Sequence, residues 1–372
     1  MKQPISVMLA AGGTGGHLFP AFALAEELQR RGIAVDLITD MRGDRYGSGF
    51  PARDVYKVPA ATLAGRSPVD AAKTALALAS GTKAAHKILG AVRPAVVVGF
   101  GGYPTFPPLI AARMRGIPSV LHEQNAVLGR ANRMLAKRVT GIATSFERTK
   151  YLDGDAVAKA RFTGNPVRQS VIAAAAQSYF APNEDGEVRL LVFGGSQGAR
   201  YFSETVPPAL AELSGATKHR LRVTQQAREE DLAHVRSAYA ESGIAADVEA
   251  FFKDLPDRMA KAHFVIGRAG ASTVAELTVI GRPSILVPLP HALDNDQLNN
   301  AQRLAESGGG WCIEQKSLSP QRLAEEILQL VRSPQALAAA AEAAKRAGRP
   351  DAVVRLADFA LELAAGRQRP AA

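Results

Sequence analysis

The sequence predicts an α/β protein built from two Rossmann-like, doubly wound domains. Three observations carry that expectation. A hydrophobic strand running into a glycine-rich turn occurs twice, half a chain apart. Ile5–Ala11 leads into Gly12-Gly13-Thr14-Gly15-Gly16-His17, and Val188–Phe193 leads into Gly194-Gly195-Ser196-Gln197-Gly198-Ala199. Strand-like and helix-like segments alternate along most of the chain, the pattern of a parallel sheet with helices on both faces. At 372 residues the chain is long for one core and comfortable for two. A buried strand followed by glycines lets the backbone approach a ligand closely, and the helix behind it offers free N–H groups to an anion. Two such units facing a shared cleft would bring two substrates together.

In the first half, strand Ile5–Ala11 precedes a helix near Pro20–Arg31 closed by Gly32, then strand Ala34–Thr39. An alanine-rich helix is expected over Val69–Val92, strand Ala95–Gly99 after it, a helix near Pro107–Arg115, and a short strand Ser119–His122. Gly164-Asn165-Pro166 marks the change of domain, so 1–166 forms the first domain and 167–346 the second. The pattern then repeats: strand Arg189–Phe193, helix near Tyr201–Glu212, strand Leu221–Thr224, helix near Glu229–Ser242 and strand Val248–Ala250. Strand His263–Ile266, helix Ser272–Ile280, strand Ser284–Val287 and helix Asp296–Glu306 complete it. From Ser319 to Ala365 the composition is helical, and a last helix, 347–369, is expected to pack back on the first domain. Ligands belong at the carboxyl ends of the strands, where the glycine turns lie.

Composition narrows the classes. Apolar content of 47% with 22% charged residues is globular. A single cysteine, Cys312, permits no intramolecular disulfide and points to a reducing compartment; without a flanking motif it reads as a small buried hydrophobe. Lys2 followed by Ile5–Ala11 imitates a signal peptide, but the apolar run is short, lacks a cleavage site and ends in glycines. No run approaches the roughly 18 apolar residues of a membrane helix. Forty-five basic against 35 acidic residues favour an anionic partner. Nucleic acid is disfavoured, with one Trp, no basic run of five and no recognition motif.

The turns carry the candidate chemistry. Neither of the two duplicated turns is a G-x-G-x-x-G fingerprint, and no Gly-Lys-Ser/Thr of a Walker loop occurs. A third glycine turn, Gly99-Phe100-Gly101-Gly102-Tyr103-Pro104, follows strand Ala95–Gly99. His17, placed after the first turn, reads either as a capping or packing histidine or as a general base, whose ordinary pKa near 6.5 suits proton abstraction. His122-Glu123-Gln124-Asn125 gathers hydrogen-bonding groups at another strand end. In the second half Ser272 is expected to cap the helix after Arg268-Ala269-Gly270-Ala271, leaving N–H groups for a diphosphate. Glu276, one turn on, reads as a ribose ligand or as a carboxylate complementing the helix dipole. Asp294-Asn295-Asp296 resembles a D-x-D metal site only superficially, and no Cys/His cluster has metal-ligand spacing.

Together these stretches resemble the bacterial UDP-N-acetylglucosamine transferases that convert lipid I to lipid II in peptidoglycan synthesis. The matching segments are Gly12–Pro20, Gly99–Pro104, His122–Asn125, Gly164–Arg168, Gly194–Arg200, Arg268–Glu276 and Gln297–Ala301, in order along the chain. The resemblance implies a GT-B fold and an inverting transfer of GlcNAc from UDP-GlcNAc to a lipid-linked muramyl-pentapeptide, with neither metal nor other cofactor. It implies that Thr14, Gly15, Gly16 and Asn125 face the donor sugar, that Arg168 and Ser196 hold the diphosphate, and that Phe252 packs near the uracil. Ala271, Ser272, Thr273, Val274, Ala275 and Glu276 would form the diphosphate and ribose site, and Gln297 would reach the sugar. His17 would be the base, with Tyr103 and Glu123 near the acceptor. Asp296 stands where members often carry Gln or His. A UDP-GlcNAc 2-epimerase, acting on the same donor with no lipid acceptor, is the alternative. The stretch Leu63–Leu89, with Leu63, Leu76, Leu78, Ile88 and Leu89 beside Arg66, Lys73, Lys83 and Lys87, reads either as a packing helix or as an interfacial one. The second reading places the protein peripherally on the anionic cytoplasmic face of the cell membrane.

Overall fold

Strand β1 (Ser6–Ala10) is buried along its whole length. Successive side chains of a strand face opposite sides, and here each side has a core to enter. Val7 and Leu9 join the cluster that includes Leu24 and Leu28, whereas Met8 joins the one that includes Leu89 and Leu109. The unbroken apolar run Val7–Ala10 is thus what a sheet covered on both faces requires. The computed structural model describes residues 5–12, 15–40, 49–60, 67–195 and 198–366. Its contacts divide the chain into two units, one running to Arg168 and resuming at Pro350, the other spanning Gln169–Arg349.

In the first unit β1 is followed by α1 (Gly15–Arg30), β2 (Ala34–Thr39), β3 (Val55–Lys57), α2 (Pro68–Val92) and β4 (Val96–Gly99). Then come α3 (Phe106–Met114), β5 (Ser119–Glu123), α4 (Arg130–Ala136), β6 (Gly141–Thr144), α5 (Asp155–Ala158) and β7 (Ala160–Phe162). All pairings are parallel, in the order β3-β2-β1-β4-β5-β6-β7. The second unit holds α6 (Gln169–Ala174), β8 (Val188–Phe193), α7 (Arg200–Ala211), α8 (Gly215–Arg220), β9 (Leu221–Gln226) and α9 (Leu232–Glu241). It continues with β10 (Ala245–Glu249), α10 (Leu255–Lys261), β11 (Phe264–Gly267), α11 (Ala271–Ile280) and β12 (Ser284–Leu286). It ends with α12 (Asp296–Glu306), β13 (Gly310–Cys312), α13 (Pro320–Val331) and α14 (Pro334–Ala347). Its sheet, also parallel, runs β10-β9-β8-β11-β12-β13.

Both sheets therefore reverse direction beside their first strand, between β1 and β4 and between β8 and β11. The carboxyl side of that switch is where doubly wound sheets bind ligands. All three sequence-identified glycine turns, and the Gly267–Gly270 turn, leave one of those four strands. The last helix, α15 (Ala352–Gly366), returns to the first unit, where Leu356, Phe359 and Ala360 enter the core of β1 and α1. Two ion pairs fix its outer face, Arg31 to Asp358 at 2.5 Å and Arg161 to Glu362 at 2.6 Å.

The structure differs from the sequence expectation at α1, which begins at Gly15 rather than near Pro20. Pro20 falls in the second turn, where the one bond it cannot donate would end on the carbonyl of Gly16, which is exposed to solvent. His17 consequently sits inside the first helical turn. The short edge and linking elements β3, α4, β6, α5, β7, α6, α8, α10 and β13 were not foreseen.

Candidate active site

In the first unit the turns after β1, β4 and β5 meet around His17. Its Nδ1 lies 3.2 Å from Gln124 Oε1. Gly101 and Gly102, at φ 86° and 72°, cross the ring. A Cβ on Gly102 would stand 3.3 Å from His17 Nε2, and one on Gly101 3.4 Å from Cε1. Glycine is thus required twice over, for the left-handed backbone and to leave Nε2 approachable. The half-buried imidazole has its pKa lowered from the usual value, mainly by burial; its hydrogen bonds to Gln124 and to the Phe100 carbonyl oppose this. The positive end of the α1 dipole acts in the same sense as burial. A neutral imidazole with an accessible nitrogen can accept a proton from a hydroxyl at neutral pH.

Glu123, at the end of β5, is 1% exposed. Its Oε1 accepts from Asn125 N (2.9 Å) and Asn125 Nδ2 (3.2 Å), and its Oε2 from Gly129 N (2.9 Å) and Asn132 Nδ2 (2.6 Å). Burial raises its pKa while these hydrogen bonds hold it back. Both oxygens are engaged in shaping the loop to α4. Asn125 is half-buried on that loop, and Tyr103 is half-buried in a one-turn helix, Tyr103–Thr105. The Thr105 hydroxyl ties the turn to β1, 2.7 Å from Gly101 O and 3.2 Å from Ala10 O. Gly15 is buried and Gly16 exposed at the start of α1, while Thr14 lies outside the described residues. Arg168, the last residue before the second unit, sets its guanidinium 4.8 Å from the Phe19 ring centre.

In the second unit the turn after β8 is equally constrained: a Cβ on Gly194 would stand 2.4 Å from Ala199 N, and Gly194 N donates to Gln226 Oε1 at 3.1 Å. Ser196 lies outside the described residues. After β11, Arg268 is buried and donates to the carbonyls of Val287 and Pro288, each at 3.1 Å, and to Gln315 Oε1 at 2.7 Å. Asn300 Nδ2 donates to Ala269 O at 3.1 Å. This scaffold sets the start of α11.

The cap of that helix is Gly270, not Ser272. Gly270 has extended φ/ψ and its carbonyl accepts from Val274 N at 3.0 Å, so Ser272 is the second helical residue. Gly270 has no side chain to cover the first-turn N–H groups. The Ser272 hydroxyl oxygen is buried with no hydrogen-bond partner among the described residues. Thr273, Val274 and Glu276 are buried, and Ala271 and Ala275 half-buried. An uncovered helix start with a spare hydroxyl is suited to phosphate oxygens. Gln297, in the first turn of α12, accepts from Leu289 N at 3.0 Å through Oε1. Burial pushes the Asp296 carboxyl up, against a hydrogen bond from Gln297 N. Phe252 is buried, with the Arg258 guanidinium 4.2 Å from its ring centre. Among the described residues no three His, Cys, Asp or Glu side chains gather as metal ligands.

Sequence reasoning missed Asn132, Arg268 and Asn300 as organising groups. Asn132 lies in the unforeseen α4, and a buried Arg whose partners are carbonyls leaves no pattern in sequence.

Two family models match, the glycosyltransferase family 28 N-terminal domain over residues 7–144 and its C-terminal domain over residues 189–356. A UDP-N-acetylglucosamine--N-acetylmuramyl-(pentapeptide) pyrophosphoryl-undecaprenol N-acetylglucosamine transferase of Brucella abortus is 53% identical over 97% of this chain and 95% of its own. The solved structure of Acinetobacter baumannii MurG superposes with a TM-score of 0.79 at 28% identity, covering 96% of this chain and all of that one. A UDP-GlcNAc 2-epimerase from Neisseria meningitidis, bound to UDP-GlcNAc, shares the fold at 14% identity with a TM-score of 0.69, over 96% of this chain and all of its own. With two GT-B-type Rossmann domains, both domain models and that identity along nearly its whole length, the chain belongs to glycosyltransferase family 28, among the hexosyltransferases that carry the pentapeptide pyrophosphoryl-undecaprenol N-acetylglucosamine transferase name.

Proposed function

We propose that this enzyme transfers GlcNAc from UDP-GlcNAc to the C4 hydroxyl of undecaprenyl-pyrophosphoryl-MurNAc-pentapeptide, converting lipid I to lipid II. The observation that carries this reading is the 53% identity over 97% of the chain to relatives of that name. The first unit takes the acceptor and the second the donor. His17 Nε2 accepts the hydroxyl proton as the oxygen attacks C1 of GlcNAc from the face opposite the diphosphate. The C1–O bond breaks and UDP leaves with inversion, its charge met by the α11 N–H groups, Ser272 and Arg168. Gly15, Gly16, Asn125 and Gln297 contact the sugar, the Phe252 main chain the uracil, and Glu276 the ribose. Thr14 and Ser196 complete the donor contacts. Tyr103 lies near the acceptor, and Glu123 is a positioning residue.

Incubation of the full chain with labelled UDP-GlcNAc, with and without the lipid-linked acceptor, tests the reading. Acceptor-dependent label transfer is expected, and it should persist in EDTA because residues of the chain meet the leaving charge. Formation of the 2-epimer without acceptor would replace this reading with the epimerase one. Glu276→Ala should weaken UDP-GlcNAc binding by about 1–3 kcal/mol through loss of charged hydrogen bonds. An unchanged dissociation constant by calorimetry would remove Glu276 from the donor site.

We further propose peripheral attachment to the cytoplasmic face of the membrane through α2. No helix among the described residues is long and apolar enough to cross a bilayer. Lys73, Leu76, Lys83 and Lys87 are exposed, with Leu76 at 71%. Leu89 is buried in the core, Leu78 and Ile88 are half-buried, and Leu63 and Arg66 lie outside the described residues. The expected apolar stripe thus reduces to Leu76, and charge dominates. Each lysine beside anionic lipid adds about 1 kcal/mol. Changing Lys73, Lys83 and Lys87 to Glu should abolish cosedimentation with anionic vesicles at low salt; binding indifferent to that change would sink the electrostatic attachment.

A further inference from the structure

The polar groups behind His17 form a chain whose direction can be read from one end. Gly164 O is a carbonyl and can only accept, so the 3.1 Å contact from His122 Nε2 makes that nitrogen the N–H of the ring. A neutral imidazole carries one proton, so His122 Nδ1 is a lone pair. It faces Gln124 Nε2 at 2.9 Å, which donates to it. The same amide nitrogen also reaches Phe100 O at 2.9 Å and His122 O at 3.2 Å, two further carbonyls. Three acceptors around one end of the amide fix which end is NH2. The other end, Oε1, can only accept, and it faces His17 Nδ1 at 3.2 Å. His17 therefore carries its proton on Nδ1 and its lone pair on Nε2, the nitrogen lying against Gly102.

His122 is fully buried, and burial pushes its pKa down to about 4. It stays neutral through the physiological range, so the direction of the chain does not reverse. Gln124 is itself buried. Turning its amide over would set Oε1 against the carbonyl oxygens of Phe100 and His122.

We infer that Gln124 and His122 are positioning residues that lock His17 in the Nδ1–H tautomer, so that Nε2 is always the basic nitrogen. No proton moves along the chain; it sets orientation, as the buried carboxylate does for a triad histidine. Free imidazole side chains prefer the opposite tautomer, so the lock does work that the histidine alone would not. The consequence for turnover rests on His17 being the base, whereas the tautomer itself does not.

Nitrogen-15 NMR of the histidine-labelled full chain reads the tautomer without substrate. In the wild type, His17 should show a protonated Nδ1 and a free Nε2, and His122 the reverse. A His17 protonated on Nε2 would overturn the inference outright, with no variant needed. In Gln124→Leu both His17 tautomers should appear, and kcat should fall roughly 10–100-fold, the scale for losing a group that orients a ligand, with KM for UDP-GlcNAc little changed. If Gln124→Leu keeps the single Nδ1–H tautomer, Gln124 does not hold it and the inference fails. If the tautomer behaves as stated but His17→Ala turns over normally, the lock stands and the assignment of the base falls instead.

Discussion

His17→Ala should lower turnover by about 10²–10⁴-fold, the range for removing a positioned general base, while leaving UDP-GlcNAc affinity nearly unchanged. The separation follows from the proposed roles, since His17 meets the acceptor hydroxyl, whereas the diphosphate and ribose groups of α11 stand on the second unit. The pH profile carries the same information. Burial lowers the His17 pKa from 6.5, and the base works only when deprotonated. The acid limb of kcat/KM should therefore lie below pH 6.5, with activity flat as pH rises through neutrality. A limb centred above 6.5 that persists in His17→Ala would assign the base elsewhere. Near-normal turnover in a folded His17→Ala would do the same.

The strand-and-glycine pattern was enough to find β1, β4, β8 and β11 as strands, though not their order in the sheets, because only a doubly covered parallel sheet accepts runs such as Val96–Val98 buried on both faces. The candidate residues were legible for a related reason: glycines and polar residues at strand ends are costly unless a turn or a ligand uses them. What lay beyond reach was contact at long sequence separation. Nothing in the order of residues says that Gln124 turns its oxygen toward His17, 107 positions away, or that Gly164 anchors His122. The helix cap after β11 was misassigned to Ser272 because a serine outranks glycine on side-chain grounds. The extended backbone at Gly270 decides otherwise. Short edge strands such as β7 and β13 carry too few residues for periodicity to register.

Glu123→Ala should cost the first unit about 2–4 kcal/mol, because it strands the buried Asn132 amide and two backbone donors on half-buried residues rather than removing one attractive contact. Gly129 N, Asn125 N and the Asn132 amide all donate to this carboxylate, and each buried donor left without an acceptor costs about 1–3 kcal/mol. For a unit of this size the melting temperature should fall by roughly 10 °C, and the loop from Gln124 to Gly129 should lose protection against amide exchange. Glu123→Gln should recover only part of the loss: one amide oxygen still accepts, but its NH2 would face N–H donors on the other side. Turnover should fall with stability, since the same loop carries Gln124 and Asn125. The carboxylate as catalytic base predicts the contrary pattern, a folded Glu123→Ala protein with wild-type melting and no turnover. With its carboxylate held by Asn125 and Gly129 on the loop that it braces and by Asn132 in the first turn of α4, and 1% of its surface exposed, Glu123 has the environment of a clamp. The two measurements together, melting and turnover on one variant, separate these roles because a base contributes to the transition state and a clamp to the fold.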